Sequence, residues 1–222
     1  MLRYAAMESS LLHRSQPEPV QERGQKTRQK VLLAACKVLA RRGFSEARVD
    51  EITKVARVGY GTFYKYFHNK QDVLEAVVEE IYAQLTEAAF PTQVLASQLE
   101  DQIRTGITNY LKVYQKNREV LLALRPASQM NPWIRKLLSD LRERDVQWMA
   151  GELKKLRDQG WNIQGNLEVF SLALLQMVDT AAQDWISHRQ HVRLEEIAGT
   201  LCDIWFKAIL PSRPGLASPP CP

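Results

Sequence analysis

Between residues 57 and 70 the chain gathers Arg57, Tyr60, Thr62, Tyr64, Lys65, Tyr66 and Lys70, with Gly59 and Gly61 among them. Hydroxyls and cations at this density can donate to phosphate oxygens, and small residues let a backbone come close to a groove. That is the chemistry of a nucleic-acid surface. The chain offers no comparable constellation for catalysis. It has no Gly-rich phosphate loop, no H-E-x-x-H and no nucleophile elbow. His188 and His191 stand three apart, but beside Arg189 and Arg193 with no third ligand in view, so they read as solvated histidines. Cys36, Cys202 and Cys221 are odd in number and widely spaced, which argues against a disulfide framework and a zinc site. No enzyme activity, metal or cofactor is expected.

The elements that must hold the cluster are short. Ile52, Val55 and Ala56 recur at helical spacing and predict one apolar face on a first helix. Arg57-Val58-Gly59 is the turn, with Val58 placed to fill the space between helices and Gly59 as a modest N-cap. A second helix then presents Tyr60, Gly61, Thr62, Tyr64, Lys65 and Tyr66, while Phe63 and Phe67, four apart, pack inward. In a helix-turn-helix the second helix enters the major groove with its N-terminal residues at base edges. Tyr60, Gly61 and Tyr64 are the candidates for that contact, and Thr62, Tyr66 and Lys70 for phosphates. A preceding helix over about Thr27 to Arg42 carries Val31, Ala34, Ala35, Val38 and Leu39 inward, and Gly43 ends it.

The pattern Ala56-x-Val58-x-x-Gly61-Thr62-x-Tyr64-x-Tyr66-Phe67-x-Asn69-Lys70 resembles the signature of the TetR/AcrR family of bacterial transcriptional regulators. Gly43-Phe44 and Val49-x-x-Ile52 also fit, and the likeness covers roughly residues 27–75. The resemblance implies that the start of the first helix, at Thr27 and Arg28, approaches the DNA backbone. Two positions depart from the family. Arg48 stands where a capping Ser or Thr is usual; it can reach a phosphate but cannot cap, so Ser45 is expected to cap an earlier helix start. Arg57 stands where Gly is usual, with a strain cost if its φ is positive.

Charge is distributed accordingly. Residues 1–25 are neutral, residues 26–70 carry a net +8, and residues 71–222 a net −3. A basic segment on a mildly acidic body suits DNA binding through one end of the molecule. No apolar run reaches the length of a membrane span, and residues 1–25 lack the order of a signal peptide. The expectation is a cytoplasmic protein without membrane association.

Downstream, Asn69 caps a long helix that Pro91 stops near Ala89, and Ser97-Gln98-Leu99-Glu100 forms a capping box for a helix to about Gln115. A short helix over Arg118–Leu124 is expected to end before Pro126, leaving 125–131 as a loop. Asn131 and Pro132 open a helix of about 25 residues stopped near Gly160. Asn166 opens one to about His188, and a last one covers about Leu194–Leu210 before Pro211. The last two are apolar over more than one face and so need a second partner. The resemblance implies that the partner is a second copy, joined by these two helices across a two-fold axis. The double-stranded DNA site should then be a palindromic operator.

The fold class is therefore all-α, an N-terminal three-helix helix-turn-helix domain plus a C-terminal helical ligand-binding and dimerisation domain. The expected boundaries are a tail at 1–25, the DNA-binding domain at 26–72, the effector and dimerisation domain at 73–211 and a tail at 212–222. Large side chains crowd the C-terminal helices. Tyr110, Tyr114, Trp133, Trp148, Met149 and Met177, with Asp179 as a polar anchor, are the candidates for a small-molecule effector of mainly hydrophobic character. Ligand-responsive repression is the expected function. A constitutive DNA-binding protein with a filled core and a helical enzyme using the C-terminal cavity are the alternatives.

Overall fold

The computed structural model describes residues 22–90, 98–161 and 163–209. Among them the chain is helical without a strand: α1 (Glu22–Glu46), α2 (Val49–Ala56), α3 (Tyr60–Phe63), α4 (Lys70–Ala89), α5 (Leu99–Lys116), α6 (Arg118–Met130), α7 (Pro132–Asp158), α8 (Leu167–His188) and α9 (Leu194–Ile209). Two compact units divide at Val78–Glu79, within α4.

In the first unit α1 packs on α2. Val31, Ala34, Ala35, Val38 and Leu39 are all buried, as their spacing requires. α1 begins at Glu22, earlier than expected, because its first turns are polar and give periodicity nothing to register. Thr27 consequently lies inside the helix, in its second turn. The helix breaks at Gly43, whose φ of 72° and ψ of 178° suit only glycine. Phe44 then turns back into the core.

α2 starts at Val49, with Arg48 extended at the N-cap and making no side-chain cap, so the earlier start capped by Ser45 does not occur. Its buried residues are Ile52 and Thr53, while Val55 is 38% exposed, against expectation. Thr53 tolerates burial because its hydroxyl donates to the Asp50 carbonyl at 3.0 Å. The helix ends with Arg57 in the left-handed region (φ 55°, ψ 47°). The Arg57 N–H donates to the Lys54 carbonyl and the Val58 N–H to that of Thr53, the bonding of a Schellman motif. For a residue with a Cβ that conformation costs roughly 1–2 kcal/mol.

α4 is capped as its sequence foretells, the Asn69 side chain accepting from the Asp72 N–H at 3.0 Å. In the second unit α5 packs with α9, α7 with α8, and α6 with α7. α6 does not stop before Pro126 but runs through it to Met130. Pro126 lies on the exposed side, so the carbonyl its missing N–H leaves free can be solvated. Asn131 closes α6 by donating its N–H to Ala127 and caps α7 by accepting from the Trp133 N–H at 3.0 Å. Asn166 caps α8 through the N–H groups of Glu168 and Val169. Of the expected N-terminal tail, residues 22–25 belong to α1 and the rest lies outside the described residues, as do Ser97 of the capping box, the stops at Pro91 and Pro211, and the tail at 212–222.

Candidate nucleic-acid interface and ligand cavity

α3 is one regular turn, after which Tyr64–Tyr66 tighten. Lys65 and Tyr66 donate their N–H groups three residues back, and Phe67 donates four back to Phe63. The second helix of the motif is thus shorter in α-helical geometry than periodicity predicts. Its anchors are Phe63 and Phe67, fully buried with ring centroids 5.7 Å apart. Pinning that side inward forces the other outward, so Tyr60 is 55% and Tyr64 44% exposed. Their rings lie 5.2 Å apart and the Tyr64 hydroxyl donates to that of Tyr60 at 3.5 Å. That contact pushes the Tyr60 phenol above its ordinary pKa, and it stays a donor. Gly61 and Lys65 are exposed, and a Cβ at Gly61 would meet nothing within 4 Å. Thr62 and Tyr66 are half-buried.

Other expected DNA residues are engaged within the unit. The Lys70 ammonium donates to the carbonyls of Phe44 at 3.1 Å and Ser45 at 3.0 Å, just past the break in α1. Arg28 lies over the Phe67 ring, 5.4 Å from its centroid. Thr27 is half-buried, whereas Arg48 and Arg57 are exposed. No pattern in the chain foretells that Arg41 and Arg42 both turn to Glu51, at 2.6 and 3.6 Å, tying α1 to α2.

The second unit holds a partly open cavity of about 130 Å³ walled by α4, α5, α7, α8 and α9. Tyr110, Trp148, Met149 and Asp179, four of the side chains expected there, line it. The Tyr114 ring lies tilted against that of Tyr110, centroids 5.7 Å apart, but is not on the wall. Trp133 and Met177 are also off it. Trp133 sits in the first turn of α7, and Met177 points to the side of α8 opposite Leu175, Val178 and Asp179, which do line the space. Sequence reasoning missed Tyr82, Thr86, Arg142, Asp145 and Trp205, which look like ordinary surface or core residues until five helices converge.

The wall is mainly apolar, with the Phe90 and Trp148 rings stacked at 4.3 Å. Its polar centre is Asp179, whose Oδ1 accepts from the Tyr110 hydroxyl at 2.9 Å. Burial pushes the Asp179 carboxyl above its ordinary range, while the Tyr110 hydrogen bond and the charge of Arg142 pull it back. Burial likewise raises the phenols of Tyr82, Tyr110 and Tyr114, with the Asp179 charge adding to each. Thr86 donates to Asp145 at 3.1 Å. The Trp205 indole N–H is enclosed and finds no acceptor among the described residues. At the junction of α4 and α5, Gly106 lies so close to Ala89 that a Cβ there would come within 2.2 Å of its carbonyl oxygen.

Among the described residues no group of three or more His, Cys, Asp or Glu could hold a metal, and His188 pairs with Asp184 at 3.2 Å. No described helix is long and apolar enough to cross a membrane.

Residues 31–77 match the family model described as bacterial regulatory proteins, tetR family. The transcriptional repressor NicS of Pseudomonas putida is 26% identical over 103 residues, 46% of this chain and 49% of NicS, so the chain spans about half the length of that relative. Among solved structures, the regulator FadR of Bacillus subtilis in complex with stearoyl-CoA superposes with a TM-score of 0.66 at 19% identity, covering 82% of this chain and 98% of FadR. A SmeT–triclosan complex does so at 0.70 and 18%, covering 89% of this chain and all of SmeT. At these identities the structural likeness is one of fold.

Proposed function

We propose that this chain, which belongs to the TetR family of bacterial regulatory proteins, is a non-enzymatic homodimeric repressor that leaves a palindromic operator when a hydrophobic effector enters its second unit. The observation that carries the DNA reading is the face of α3, where buried Phe63 and Phe67 force Tyr60 and Tyr64 outward beside Gly61 and Lys65. Tyr60, Gly61 and Tyr64 contact base edges, while Thr62, Tyr66 and the cations of residues 26–70 contact phosphates and supply affinity by counterion release. Lys70 and Arg28 serve first to hold the reading head together.

Homodimerisation through α8 and α9 is supported by apolar side chains left outside on both helices, with Val169 64%, Leu172 39% and Ile204 45% exposed. The effector reading rests on the cavity, and the FadR and SmeT complexes support it by analogy of fold. Residues of α4 line the cavity while Asn69 and Lys70 at its start belong to the reading head, so α4 is the lever. An effector shifts the population between two settings of that helix by its differential affinity for them.

Fluorescence anisotropy against fragments of the region upstream of the chain's own gene, at several salt concentrations, tests the DNA reading. Saturable binding to one palindromic fragment at salt that removes random DNA is expected, and Tyr64→Ala should alter the ranking of related operators. Sequence-blind binding that disappears with salt, or an unchanged ranking in a folded Tyr64→Ala protein, refutes the assigned reading face.

A further inference from the structure

The charges around the cavity are unbalanced. Asp145, Glu152 and Asp179 line it with Arg142 as the counterweight. Asp145 accepts from Thr86, and Arg142 is exposed and biases Asp179 from a distance without forming an ion pair with it. Asp179 is different, since it is half-buried on the cavity wall and, among the described residues, only its Oδ1 takes a hydrogen bond, from Tyr110. A neutral apolar ligand that displaced water from this space would leave the carboxylate with less solvation and only the distant Arg142 as counter-charge, a costly arrangement. An anionic ligand would add repulsion. The neighbouring rings favour the opposite sign, because Tyr82, Tyr110 and the stacked Phe90–Trp148 pair present aromatic surface whose quadrupole attracts a cation.

We propose that the effector is a lipophilic organic cation, an amine or quaternary ammonium on an apolar body, whose head sits at Asp179 against Tyr82 and Tyr110 while its body lies along Phe90, Trp148 and Met149. The proposal rests on the reading of this cavity as the effector site, and it names the chemistry that the site selects. Asp179 supplies the counter-charge, and Tyr110 positions it by holding one oxygen so that the other remains for the ligand.

The test uses three probes of one shape and different charge on the full chain, namely benzyltrimethylammonium, its carbon isostere neopentylbenzene, and phenylmethanesulfonate. Titration calorimetry, with thermal stabilisation as a second readout, gives the affinity of each. The cation should bind at least about tenfold more tightly than the neutral isostere, with the anion weakest. In Asp179→Asn, which keeps an acceptor for Tyr110, the advantage of the cation should vanish, the cation losing affinity and neopentylbenzene gaining what the carboxylate's desolvation had cost it. Preference for the neutral or anionic probe, or a cation advantage that survives Asp179→Asn, overturns the cation assignment and leaves the cavity as an effector site. Saturable binding by none of the three overturns the effector reading itself. The comparison of probes on the unmutated chain stands even if the variant fails to fold.

Discussion

Replacing Gly106 with Ala is a sharp test of how the cavity wall is built. Glycine inside a helix ordinarily costs stability, and Gly→Ala at an indifferent site would gain about 1 kcal/mol. Gly106 is not indifferent. Its Cβ would stand 2.2 Å from the Ala89 carbonyl oxygen and 3.2 Å from the carbonyl carbon. A carbon and a carbonyl oxygen rest at about 3.3–3.6 Å, so α5 and the end of α4 must separate by about 1 Å. The obstacle is backbone, which cannot turn aside like a side chain. Overpacking of this kind costs about 1–3 kcal/mol, which offsets the helical gain and leaves a net loss of up to about 2 kcal/mol. For a chain of this size that lowers the Tm by up to about 8 °C in thermal unfolding followed by circular dichroism. Both Ala89 and Gly106 line the cavity, so effector affinity should change with it. A Gly106→Ala protein with a raised Tm and unaltered effector binding would refute the close approach of α4 and α5.

Two further perturbations separate readings that the fold leaves adjacent. Lys70→Met should lower stability toward urea by about 1–2 kcal/mol, discounted for partial exposure, because two carbonyls lose a charged donor. Unchanged stability together with a salt dependence of DNA binding reduced by about one phosphate contact would instead make Lys70 a phosphate ligand. Asp179→Asn should change the pH dependence of stability in the unliganded protein. The folded pKa of Asp179 is raised above its ordinary value of 3.8, so in that window the native state binds more protons than the unfolded one. Stability from this group is present below the unfolded pKa and falls as pH rises to the folded one. Arg142 and the phenols of Tyr82, Tyr110 and Tyr114 interact with it, and Asp145 shares the cavity wall. The variant should therefore gain relative to the parent between acid and neutral pH, and an identical pH profile in urea denaturation would show that Asp179 is not buried as an acid.

Local signals in the chain settled a good deal by themselves. Helix starts at Asn69, Asn131 and Asn166 and the break at Gly43 were legible because caps and left-handed glycines act within a few residues. The alternation of Phe63 and Phe67 with Tyr60 and Tyr64 decided which side of α3 faces outward, since a helix cannot bury both. Tertiary structure decided what depends on partners distant in sequence. Pro126 stays helical because its side of α6 meets solvent, and Thr53 goes inward in place of Val55 because Asp50 accepts from its hydroxyl. Lys70 finds its acceptors at Phe44 and Ser45, twenty-six and twenty-five residues away. The cavity belongs wholly to this second class. Its wall joins Tyr82, Gly106, Arg142, Asp179 and Trp205 from five helices, and a void arises from how those helices fail to fill the space between them, which no periodicity along one helix can record.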